Sequence, residues 1–176
     1  MERSERFDKL LKDLNEGFEK MGYEFLLMSQ HMIRYYLETH SHNFPMVCYE
    51  YTPDSPYEVE ISESIFLNDS SHDYKWIVGL DSAEEPVFVM CLKDVEKSDE
   101  LEIDVLEVSK EHRNKGVAGN ILELVERCAS KNYKRTCITP FDTSAMNFWK
   151  HNGYEAVDEY IGYYKKNIEY EYTWLG

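Results

Sequence analysis

The chain has no apolar run approaching the roughly 20 residues that a membrane-spanning helix needs. Its first residues, Met1-Glu2-Arg3-Ser4-Glu5-Arg6, lead into a charged amphipathic pattern and not into the apolar core of a signal peptide. No membrane partner is expected, and the cytoplasm is the expected location. Basic side chains are scarce as well: 19 Lys and Arg stand against 34 Asp and Glu, a net charge of -15. A nucleic-acid backbone is therefore a poor partner for the chain as a whole. Cysteine is limited to Cys48, Cys91, Cys128 and Cys137, with neither close pairing nor zinc-ligand spacing. The last three sit among apolar residues, where a thiol behaves as a small hydrophobe, so buried free thiols are expected and no metal site. No internal repeat or low-complexity segment interrupts the 176 residues, a length suited to one domain with its own core.

What is present is charge unevenly placed around one stretch. Residues 45–99 hold three basic residues against thirteen acidic ones, a balance of -10, and repel anions. Residues 110–135 hold seven basic residues against three acidic ones, a balance of +4. This basic island surrounds the stretch from Val108 to Gly119, which closes a strand and opens a helix. Ahead of it, Leu101 to Val108 alternates apolar and acidic side chains and then becomes apolar, as a strand running into a core does. Behind it, Val117, Ile121, Leu122, Leu124, Val125 and Cys128 fall at helical spacing. A turn with Gly116 and Ala118 at a helix N-terminus leaves backbone N–H groups uncovered, and dipole and orphan donors there favour an anion such as a phosphate or pyrophosphate.

Along the chain, Phe7, Leu10, Leu11, Leu14, Phe18 and Met21 predict an amphipathic helix from Ser4 to Met21, with Ser4 as its cap and Gly22 as its end. Tyr23 to Thr39 reads as a second helix, and the pair forms either a helical hairpin over one sheet face or a homodimerisation arm. His40 and His42 lie in a solvated loop. Met46 to Tyr51 reads as a short strand, Thr52 to Pro56 as a turn, and Tyr57 to Asn68 is ambiguous between helix and strand. Trp76–Leu80, Val87–Leu92 and Leu101–Val108 form an antiparallel meander. A helix from Val117 to Lys131 leads to a short parallel strand at Thr136–Thr139. A helix from Thr143 to Asn152, closed by Gly153, precedes strands at Tyr154–Val157 and Tyr160–Tyr164.

These elements, with Arg113-Asn114-Lys115-Gly116-Val117-Ala118 and Asp142-Thr143-Ser144-Ala145-Met146-Asn147-Phe148-Trp149-Lys150-His151-Asn152-Gly153-Tyr154, resemble the Gcn5-related N-acetyltransferase (GNAT) superfamily over roughly Tyr74 to Tyr164. The family's signature is Gln or Arg, two residues, Gly, one residue, then Gly or Ala. Its second element is Asn-x-x-Ala-x-x-Leu-Tyr-x-x-x-Gly-Phe. Neither motif is specific alone; two at the right separation are. The resemblance implies an α+β domain of α/β-like character: a mixed sheet with an antiparallel meander, then β-α-β-α-β-β, preceded by an N-terminal helical extension. The expected divisions are 1–45 for that extension, 46–164 for the acyltransferase domain and 165–176 for a tail.

The resemblance also implies acetyl-coenzyme A as co-substrate and an amine acceptor. Backbone amides from Arg113 through Asn114, Lys115, Gly116, Val117 and Ala118 to Gly119 would cradle the pyrophosphate. The edge of Leu106, Glu107 and Val108 would pair with the pantetheine amides, and the N–H near Leu106 would face the developing oxyanion. Asp142, Asn147 and Trp149 of the second element complete the implied coenzyme contacts. Glu102 matches the strand-borne catalytic glutamate of histone-acetylating members, with Asp104 as runner-up on the same face. Two positions depart from the pattern. Trp149 stands at the usual Tyr, and an indole cannot act as a proton source. That leaves Tyr163 or Tyr164 to supply the proton, departure of an unprotonated thiolate, or a domain that binds without turnover. Asp142 replaces an Asn that contacts the coenzyme. The leading expectation is an N-acetyltransferase acting on a cationic small molecule or peptide, held in part by Tyr160, Tyr163, Tyr164, Tyr170 and Tyr172. The alternative is a non-catalytic coenzyme-A-binding sensor or interaction module.

Overall fold

The computed structural model describes residues 3–47, 73–95, 98–140, 143–158 and 162–168. Helix α1 (Arg3–Lys20) buries Phe7, Leu10, Leu14 and Phe18, the stripe that its periodicity predicts. It is helical from Arg3, so Ser4, expected as its cap, lies within the helix. Gly22, at φ 84°, ends the helix in the left-handed region, and the Tyr23 N–H donates back to the Phe18 carbonyl at 2.9 Å.

The helix expected from Tyr23 to Thr39 is instead a strand followed by a helix. Glu24–Met28 forms β1, paired antiparallel with the next strand in the sheet, and Gln30–Thr39 forms α2. The reason is local. Phe25, Leu26 and Met28 fit either period, and Ser29 accepts from the Met32 N–H at 3.3 Å, starting a fresh helix there.

The meander follows as β2 (Asp73–Leu80), β3 (Pro86–Asp94) and β4 (Glu100–Val108). Then come α3 (Val117–Ala129), β5 (Arg135–Ile138), α4 (Thr143–His151), β6 (Glu155–Asp158) and β7 (Tyr163–Asn167). Among the described residues the strands form one seven-stranded sheet in the order β1-β2-β3-β4-β5-β7-β6. The β4–β5 pair is parallel, with α3 as its crossover, and the other neighbours are antiparallel. Strand β7 runs past residue 164 to Asn167, so the polar tail begins later than Lys165.

Alternating residues divide the sheet between two cores. Ile77, Phe88, Met90 and Leu92 pack with α1 and α3, while Trp76, Val78, Val89 and Cys91 pack with α2, Phe44 and Val47. Cys91, Cys128 and Cys137 are buried free thiols. Residues 45–47 are helical where a strand from Met46 is expected. The rest of that expected strand with Cys48, the turn at 52–56, the ambiguous segment from Tyr57 to Asn68, and Tyr160, Tyr170 and Tyr172 lie outside the described residues. No helix among the described residues is long and apolar enough to cross a membrane.

Candidate active site

The parallel ladder between β4 and β5 is short. It runs from Glu100 opposite Arg135 to Glu102 opposite Cys137, and β4 then continues from Ile103 to Val108 without β5 beside it. A cleft of about 120 Å³ opens there, walled by Ile103 to Glu107 on one side, Ile138 to Pro140, Ala145 and Trp149 on another, and Met46 and Val47. A second cavity, of about 310 Å³, is lined by Val108, His112 to Asn114 and Gly116 to Gly119, with Phe148. The strand edge and the glycine turn thus line two cavities that meet along the chain at Glu107 and Val108.

Asp104 stands at an irregularity of β4. Cys91 on β3 faces Val105 and Leu92 faces Ile103, so Asp104 is the extra residue of a β-bulge. The bulge resets the alternation: Leu101 and Ile103 join the α1–α3 core, Val105 joins the α2 core, and Leu106 and Val108 return to the first. The adjacent apolar pair Val105-Leu106 is the sequence trace of this phase change. One oxygen of the Asp104 carboxylate, Oδ2, is buried without a hydrogen-bond partner among the described residues. Burial pushes its pKa up to about 6, the charge of Glu102 adds to the rise, and Lys93 opposes it. Glu102 itself pairs with Lys93 at 3.3 Å and is not among the cleft-lining residues. Lys93, unremarkable in the sequence, is therefore part of the electrostatics of the site.

The glycine turn is built on left-handed backbone. Asn114 and Gly116 have φ of 59° and 76°, and Gly116 is the N-cap of α3. A Cβ at Gly116 or Gly119 would meet nothing within 4 Å, so the backbone of the first turn of α3 opens onto the cavity. Lys110, Asn114 and Lys115 are exposed there. His112 receives or gives one hydrogen bond at Ser109 Oγ (2.9 Å) and lies 3.9 Å from Asp81. Arg113 turns inward, donating to the Val108 carbonyl at 3.0 Å and to the Glu107 carboxylate.

Trp149 is buried in the cleft wall, edge-on to Phe148 at 5.2 Å and to Tyr154 at 5.0 Å. Asn147 is exposed on α4, and Asp142 lies outside the described residues. Neither fallback proton donor lines the cleft. The Tyr163 hydroxyl donates to Glu100 at 3.4 Å, and burial, then the Cys137 thiol, push its pKa far upward. Tyr164 is buried in the α1–α3 core.

A family model described as "Acetyltransferase (GNAT) family" matches residues 33–154, well over half of the chain. No curated protein matches the chain. Among solved structures, a GNAT-family acetyltransferase from Staphylococcus aureus Mu50 is similar at 14% identity and a TM-score of 0.58, covering 83% of this chain and 99% of that one. Gcn5 of Tetrahymena is similar at 15% identity and a TM-score of 0.57, covering 84% of this chain and 97% of that one. At these identities the likeness is one of fold. The match, the splayed β4 and β5, and the glycine turn that opens α3 together place the chain in the GNAT family of acetyltransferases.

Proposed function

We propose that the chain transfers the acetyl group of acetyl-coenzyme A to a primary amine, with Asp104 as the base that takes the amine's proton. The observation that carries this reading is the half-buried Asp104 carboxylate at the bulge in the cleft, whose Oδ2 is buried without a hydrogen-bond partner among the described residues. A base works best when its pKa lies near the working pH, and the rise to about 6 brings Asp104 there. Glu102, first choice from its place in the strand, instead tunes Asp104 by like charge and is held by Lys93. In the reaction the nitrogen of the neutral amine forms the C–N bond, the C–S bond breaks, and the one proton that nitrogen sheds passes to Asp104. Trp149 can donate a hydrogen bond to the departing sulfur but no proton, so the coenzyme leaves as its thiolate. The glycine turn and the N-terminus of α3 supply donors for the pyrophosphate, and the unpaired edge of β4 supplies them for the pantetheine arm.

A cationic acceptor fits the site's charge. Asp104 lines the cleft, and the chain carries a net charge of -15. A panel of small amines, polyamines and peptide N-termini, incubated with acetyl-coenzyme A and read by released thiol, is expected to give turnover with cationic acceptors. Turnover confined to neutral or acidic ones would remove the charge argument. Trp149, together with a Tyr163 hydroxyl engaged elsewhere, favours the second reading, a coenzyme-binding module without turnover. Binding without thiol release on any amine of the panel would select it.

A further inference from the structure

Glu107 does more than contribute backbone to the edge of β4. Its carboxylate is only 7% exposed, and it ties Met46 and Val47, a segment far from it in sequence, to β4 and to Arg113 in the turn that follows. Oε1 accepts from the Met46 N–H at 3.2 Å and Oε2 from the Val47 N–H at 2.8 Å. Oε1 also accepts from Arg113, whose Nε is fixed on the Val108 carbonyl. The Lys110 N–H donates to the Asn43 carbonyl at 3.2 Å, a second tie between the same two segments. Met46 and Val47 wall the cleft, and Arg113 lines the cavity at the glycine turn. One buried carboxylate therefore joins the wall of the acyl cleft to the turn that would hold the coenzyme's phosphates.

We propose that Glu107 is a positioning residue, a latch through which coenzyme binding at the glycine turn fixes the Met46–Val47 wall of the cleft. The proposal rests on the coenzyme reading above. Ordering the turn around a pyrophosphate fixes Arg113, and the Arg113–Glu107 pair transmits that order to the two amides Glu107 accepts from. A charge-assisted pair whose carboxylate is buried with both oxygens engaged has few alternative arrangements, which suits it to carry such coupling. The chemistry stays with Asp104, three residues earlier on the same strand.

Hydrogen exchange read by mass spectrometry, with and without saturating coenzyme A, tests this. In the wild-type protein, coenzyme A is expected to slow exchange at Val117, Ala118 and Gly119, and to slow Met46 and Val47 about tenfold, an ordinary strength for coupled sites. In Glu107→Gln, which keeps the side chain's size but not its ion pair, protection at 117–119 should remain and that at 46–47 should vanish. Protection at 117–119 without slowing at 46–47 in the wild type overturns the latch alone. Equal slowing in Glu107→Gln also overturns it. No protection at either place in the wild type overturns the latch together with the coenzyme reading. If Glu107→Gln does not fold, Arg113→Lys is expected to show the same split, because an ammonium cannot bond Glu107 and the Val108 carbonyl with a fixed fork.

Discussion

Replacing Asp104 by Asn is expected to lower kcat/KM by about 10²- to 10⁴-fold, the span that loss of a positioned proton acceptor covers. In the wild-type protein kcat/KM should fall as pH drops below about 6, where Asp104 gains its proton. The same shift fixes a stability effect of known sign. The Asp104 pKa is higher in the folded chain than its ordinary 3.8, so the folded state holds this proton more tightly. The group's stabilising contribution is complete below that ordinary value and is lost as pH rises through about 6. Asp104→Asn, which carries no charge to bury, should therefore be more stable at neutral pH by about 1–2 kcal/mol while losing turnover. Glu102→Gln supplies the contrast. Removing its like charge lowers the Asp104 pKa, so most turnover should remain and the acidic limb should move to lower pH. Urea midpoints and pH–rate profiles of both variants check the pair. An active Asp104→Asn beside an inactive Glu102→Gln would return the base to Glu102.

Arg6→Ala is expected to cost about 3–5 kcal/mol of folding stability, because it takes the cation from a buried carboxylate. Asp94 is 0% exposed at the end of β3. Arg6 on α1 reaches it with two nitrogens, one of them at 3.2 Å, also donates to the Ser98 carbonyl at 3.0 Å, and lies over the Tyr133 ring at 4.7 Å. The guanidinium thus fastens α1 over the sheet on the side where Phe7, Leu10 and Leu14 fill the core. Lysine keeps the charge but not the fork, so Arg6→Lys should recover only part of the loss. The urea midpoint should fall with an unchanged slope, since the same surface is exposed on unfolding. A loss below about 1 kcal/mol would place this pair among ordinary surface ion pairs.

The parts of the fold legible in the sequence are those whose information is local. The meander, α3, β5 and α4 each carry their own period and their own turn residues, and the structure has them within a few residues of the predicted ends. The strand at Glu24–Met28 was not legible as one, because Phe25, Leu26 and Met28 satisfy both periods and the deciding partner, β2, lies some fifty residues away. The site divides in the same way. The glycine turn announces itself through Gly116 and the helix behind it, whereas the preference between Glu102 and Asp104 depends on a bulge. That bulge left one trace, the adjacent apolar pair Val105-Leu106, and its consequence for burial appears only with β3 alongside. Lys93 reaches the site through the register of the β3–β4 pair, and the amides of Met46 and Val47 through long-range contacts that no spacing encodes.

Calorimetric titration of acetyl-coenzyme A into the wild-type protein and into Gly116→Val tests the account most directly. A β-branched residue at φ 76° strains the turn and would cover the open backbone of the cavity. The account predicts one-to-one binding to the wild type, weakened about tenfold or more in a Gly116→Val protein whose circular dichroism remains that of the folded chain. No binding to the wild type, or equal affinity in the folded variant, would contradict it.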